Sequence, residues 1–108
     1  MNIAKHVYAL TKLFPADEKY GITSQIQRAA VSIASNIAEG AGRGTDKDFV
    51  HFLTIALGSA FEVETQLLLS KEMCYINDEN DFQYIIEELH VLQPQLHVLI
   101  KKYGDIEK

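Results

Sequence analysis

The amino-acid sequence predicts an all-α chain folded as an antiparallel up-down four-helix bundle. Three features carry that expectation. Apolar residues recur at steps of three and four in four stretches, helix-start and helix-stop residues bound those stretches, and no strand pattern competes. Four amphipathic helices with short connections bury their stripes most simply by lying side by side.

In residues 2–14, Ile3, Val7, Leu10 and Phe14 share one helix face, and Pro15 ends the helix because the residue before a proline is pushed out of helical geometry. The segment PADEKYG then reads as a loop. Ser24 and Gln27 have capping-box spacing, which starts a second helix whose face is Ile26, Ala30, Ile33 and Ile37. Gly40 is its expected stop, as the residue best suited to the left-handed conformation after a helix end.

Thr45 and Asp48 repeat the capping logic for a long third helix to about Lys71, with Phe49, Leu53, Ala56, Ala60, Val63 and Leu67 as its stripe. KEMCYINDEN interrupts it, and Asn77, Asp78 and Asn80 are each suited to cap a fourth helix. That helix has the seam Phe82, Ile85, Leu89, Leu92, Leu96, Leu99 and Tyr103, with Gly104 as its stop. Pro94 falls on the side opposite the seam, where water replaces the lost hydrogen bond, so a bend and not a break is expected.

A chain of 108 residues is one domain, 1–108, large enough to bury a core without metals or disulfides. Its apolar share of 47% and charged share of 23% are globular values. A formal charge of -5 argues against a protein coated in positive potential. Cys74 is the only cysteine, which excludes an intramolecular disulfide and a CxxC pair and fits a reducing compartment. Lys5 and His6 interrupt MNIAKHVYAL, so it lacks the apolar core of a signal peptide, and no later run is expected to span a membrane. The expected location is the cytoplasm.

Beyond the seams, the fourth helix carries Tyr84, Val91 and Val98 at heptad spacing on its other side, and the third carries Val50, Leu57, Phe61 and Leu68. A small bundle needs one buried stripe per helix, so the extra positions point to an oligomer interface, with wide burial inside the bundle as the alternative.

No metal, cofactor or small-molecule substrate is expected. Glu87 and His90 have the Glu-x-x-His spacing of di-iron bundles, but such sites use two copies and further carboxylates facing the core. These residues and His97 face away from it; Asp48 and His51 are equally isolated. GAGRG follows a helix and lacks the strand or Lys-Ser/Thr ending of a nucleotide loop, so it reads as a helix reversal.

Ser32, Asn36 and Glu39 on the second helix, with Ser59 and Glu62 on the third, read as an interhelical polar network, because buried polar groups must be hydrogen-bonded. Asn36 is expected to meet Ser59 or Glu62, and Arg43 a nearby carboxylate. Ala29, Ala30, Ser32, Ala34, Ser35 and Ala38 are expected to let backbones approach closely. Lys5 and Lys12 on the first helix, with Arg28, Arg43 and Lys47 around the second, are the candidate contacts to RNA or DNA.

FPADEKYGITSQIQRAAVSIASNIAEGAGRG and FLTIALGSAFEVETQL resemble the bacterial four-helix-bundle family of 23S rRNA-intervening sequence proteins. The matching features are a Phe-Pro, a Tyr-Gly-x-Thr-Ser-Gln, an Arg-Ala-Ala-Val-Ser-Ile-x-Ser-Asn-Ile-Ala-Glu-Gly and a Gly-Ser-x-x-Glu-x-Glu, between Val7 and Tyr75. Gln27 replaces the first arginine of a family pair and Ala34 replaces a proline; the first helix is expected to be a turn short.

The resemblance implies a ring-shaped homopentamer and a distant similarity to the accessory variability proteins of diversity-generating retroelements, which engage RNA and a reverse transcriptase. It implies no enzyme. In a ring, copies of a small basic cluster would sum. The function expected is a noncatalytic, self-associating binding or scaffolding module; the alternative is an RNA- or DNA-binding accessory factor.

Overall fold

The computed structural model describes residues 2–105. Among them are four α-helices, a single 3-10 turn at Ala16–Glu18 and no strand: α1 Ile3–Thr11, α2 Ile22–Ala41, α3 Asp46–Glu72 and α4 Glu79–Asp105. Packing joins α1 to α2, α2 to α3, α3 to α4 and α4 back to α1. Residue numbers rise along one helix as they fall along its neighbour: Ser32 meets Ser59 while Gln25 meets Gln66, and Glu64 meets His90 while Phe49 meets Tyr103. This is the contact order of antiparallel neighbours in an up-and-down bundle.

The expected seams form the core. Ile33, Val63, Leu89 and Leu96 are all at most 2% exposed, and Ile3, Val7, Ile26, Leu53, Leu67 and Ile85 are buried with them. Leu57 belongs to the core and not to a second face. By length and composition alone α3 is apolar enough to cross a membrane, contrary to expectation. In the fold its seam residues are covered by α2 and α4, while Ile55, Phe61, Leu68 and Leu69 stay exposed.

Several boundaries differ from the sequence reading. α1 stops at Thr11, short of Pro15, because Phe14 turns back to donate its N–H to the Thr11 carbonyl. α2 starts at Ile22 after Gly21, with no side-chain cap; Ser24 lies inside the helix and Gln27 bonds elsewhere. Gly40 does not stop α2. It is buried inside the last turn, where an added Cβ would lie 2.9 Å from the Phe52 Cβ, so its role is close approach of α3. The left-handed residue of the reversal is Gly44, at φ 104.

Thr45 caps α3 as expected, its hydroxyl accepting from the Asp48 N–H at 3.1 Å. Of the three cap candidates before α4, Asp78 acts, accepting from the N–H groups of Asn80 and Asp81. α4 runs unbroken through Pro94, which is exposed, and past Gly104.

α1 has 9 residues against 27 in α3 and in α4. At 1.5 Å per residue it covers roughly a third of their length. One half of the molecule is therefore a four-helix core. In the other half α2, α3 and α4 pack without α1, and Ile37, Phe49, Leu99 and Ile100 are only half-buried.

Candidate functional site

Every helix–helix seam is pinned by a polar contact. Between α1 and α2 the Gln27 amide donates to the Thr11 hydroxyl at 2.9 Å. Between α2 and α3 the Ser59 hydroxyl donates to the Ser32 hydroxyl at 2.8 Å. Between α3 and α4 the Gln93 amide donates to one Glu64 oxygen at 2.8 Å and the His90 ring to the other at 2.9 Å. Between α4 and α1 the His6 ring meets Asp81 at 2.8 Å, with the ring packed 4.0 Å from that of Tyr84.

Part of the expected polar network is in this set. Ser32 and Ser59 do join α2 to α3. Asn36 does not reach Ser59 or Glu62; its amide turns back along α2 to the Ser32 carbonyl and hydroxyl, 2.8 and 2.9 Å away. Glu39 pairs with Arg43 one turn on, at 3.0 Å, and Glu62 accepts from Gln66 one turn on, so both stay within their own helices. Side chains four apart on one helix are already neighbours, and bonding there requires no second backbone. The Arg43 guanidinium also lies 5.0 Å over the Phe52 ring and remains half exposed.

Glu64 is held below the usual carboxylate range, first by the Gln93 hydrogen bond, then by that from His90, with burial opposing them. Tyr75 is pushed up because its hydroxyl donates to Glu18 at 2.8 Å, tying the α3–α4 connection to the 3-10 turn. His90 and His97 are exposed, as expected, and no group of three metal-ligating side chains occurs among the described residues.

The candidate nucleic-acid contacts are all exposed but not gathered into one cluster. Lys5 lies on α1 and Lys12 directly after its end, Arg28 lies one and a half turns along α2, and Arg43 and Lys47 lie beyond the other end of α2. Arg28 and Arg43 are 15 positions apart along nearly continuous helix, which separates them by roughly 20 Å. Sequence reasoning missed two aromatics. Tyr8, 45% exposed, shares the outer face of α1 with Lys5 and Lys12, and Tyr20, 88% exposed, stands beside Lys19. The spacing Lys5, Tyr8, Lys12 was a readable helical face.

The second apolar face is partly corrected. Tyr84 is half-buried against α1, because α1 lies on that side of α4 and presents His6 to it. Val91 and Val98 are 55% and 65% exposed. At Val98 the outer side of α4 has a shallow, open depression of about 480 Å³ lined by Pro94, Gln95, Val98 and Leu99, with a second one nearby lined by Ile3, Glu88, Val91, Leu92 and Gln95. On α3, Phe61 and Leu68 are exposed while Val50 is half-buried. The small residues of α2 divide too: Ala29 and Ala30 are buried, whereas Ala34, Ser35 and Ala38 face outward and bring no described backbone closer.

No curated protein matches the chain significantly. A family model, described as 23S rRNA-intervening sequence protein, matches residues 1–98. The matched segment takes in α1, α2 and α3 whole and α4 through Val98, and with it every seam contact described above. This chain, an all-helical fold of four helices, belongs to the 23S rRNA-intervening sequence protein family.

Proposed function

We propose that the protein is a noncatalytic, self-associating helical bundle that serves as a binding or scaffolding module. The observation that carries this reading is the outer side of α4, where Val91, Pro94 and Val98 are exposed at the apolar depression. Contiguous apolar surface of this kind is costly to leave in water and marks interaction sites on soluble proteins. The ring-shaped homo-oligomer implied by the family resemblance is one assembly such surfaces serve, and a single exposed cysteine fits work in the reducing cytoplasm. Light scattering on the full chain tests self-association: a mass that stays at that of one chain at all concentrations overturns it.

A second reading, an RNA- or DNA-binding accessory factor, is favoured by the Lys5, Tyr8, Lys12 face with Lys19 and Tyr20 near it. Interleaved cations and aromatics suit single strands, whose bases stack on rings while phosphates meet lysines. Filter binding to single-stranded RNA at low and high salt tests it. Affinity carried by phosphate contacts falls steeply with ionic strength, and absence of binding at low salt removes this reading.

A further inference from the structure

We propose that α4 docks against α4 of a second copy of this chain, antiparallel, about a two-fold axis passing between Pro94 and Gln95. The proposal rests on the self-association reading above and names its surface and symmetry. At 100° per residue, Glu87, Val91, Pro94, Gln95, Val98 and Lys102 fall on one stripe of α4, opposite the core seam of Ile85, Leu89 and Leu96. Apart from the half-buried Tyr84 near its start, that stripe is exposed along its length.

An isologous contact brings each residue opposite the one equally far beyond the axis. With the axis between Pro94 and Gln95, Val91 of one copy meets Val98 of the other, so the two exposed valines cover each other. Glu87 then faces Lys102 across the contact, and on the two flanks Glu87 lies beside Lys101 and Glu88 beside Lys102. Both acidic residues lie before the axis and both lysines after it, at matching separations. Each of these charge pairs occurs twice by symmetry. The same pairing in a parallel arrangement would set glutamate beside glutamate and lysine beside lysine, so the charges select the antiparallel one.

None of these four charged residues makes an ion pair within the described chain. The apolar depression at Pro94, Gln95, Val98 and Leu99 lies on the open outer side of α4, so a partner helix reaches it without displacing any described element. An isologous contact pairs copies in twos, whereas ring closure uses two different surfaces, so this contact is additional to any ring contact. One helix pair is a small interface, below the roughly 1,600 Å² of a standard one, and the affinity expected is micromolar.

The test is sedimentation equilibrium on the full chain and on two double variants, E87K/E88K and K101E/K102E, with circular dichroism to verify helicity. Wild type forms pairs, of single chains or of rings, and this pairing weakens as salt rises. Each variant alone sets like charges opposite one another and raises the dissociation constant at least about tenfold. An equimolar mixture of the two variants restores pairing, because one copy is then lysine and the other glutamate at all four positions. Wild type that associates undisturbed by either variant, or variants that the mixture does not rescue, overturns the α4 contact while leaving self-association standing. Wild type that stays a single chain overturns both.

Discussion

At the scale of single residues, the polar positions divide by whether they bond across a seam or along their own helix. Ser32 does both, accepting from Asn36 and from Ser59. Replacing Ser32 by Ala strips Ser59, 8% exposed, of its acceptor and should cost about 1–2 kcal/mol. Ser59→Ala leaves the Ser32–Asn36 bond in place and should cost about half as much. Chemical denaturation of both variants reads the difference, and equal costs would mean the shared acceptor does not matter. Glu64 supplies a pH dependence. Its carboxyl is depressed in the fold by Gln93 and His90, so its contribution is complete above the unfolded value, about 4.3, and is lost as pH falls through the lower folded value. The urea midpoint of wild type should therefore fall further between pH 7 and about pH 3 than that of Glu64→Gln, which has no carboxyl to protonate.

At the scale of helices, two glycines with the same sequence signal have opposite roles. Gly58 lies inside α3 with nothing within 4 Å of an added Cβ, whereas Gly40 lies beneath Phe49 and Phe52. Gly58→Ala should stabilise the monomer by about 0.5–1 kcal/mol, the helix-interior cost of glycine. Gly40→Ala should destabilise it by about 1–3 kcal/mol through overpacking, although the helical conformation suits alanine. Thermal melts of the two variants should shift in opposite directions. Helix starts show a similar division. The Thr45 cap was legible because its acceptor and donor are three residues apart in the chain. Gln27 was misread because its partner, Thr11, is on another helix, and a local pattern cannot register that competitor.

At the scale of the whole molecule, the short α1 divides the bundle into a half with four helices and a half with three. Leu89 belongs to the first and is fully buried; Leu99 belongs to the second and is half-buried. Leu89→Ala should cost about 2–5 kcal/mol and Leu99→Ala clearly less, since a partly solvated site loses less transfer free energy and leaves less cavity. Urea unfolding of both variants checks the asymmetry, and similar costs would mean that the second half is as closed as the first. The core was almost wholly readable in advance: each seam residue named for α1 to α4 is buried or half-buried, because helical periodicity alone decides which side chains can share a face. The candidate contacts were less readable. Lys5 and Arg43 belong to opposite ends of the bundle, and the outward turn of Ala34 and Ala38 follows from where α3 lies, not from their size.

What the chain's own order of residues dictated is the set of four helices and the stripe each one buries, since both arise from interactions within a turn or two of backbone. The pairing of His6 with Asp81, of Thr11 with Gln27 and of Glu64 with Gln93 and His90 came from the packing. So did the exposure of Val91 and Val98 and the depression at Val98. These depend on the rotation and overlap of neighbouring helices, which are set by how long α1 is and where it lies against α4, and periodicity along a single helix carries no information about its neighbours.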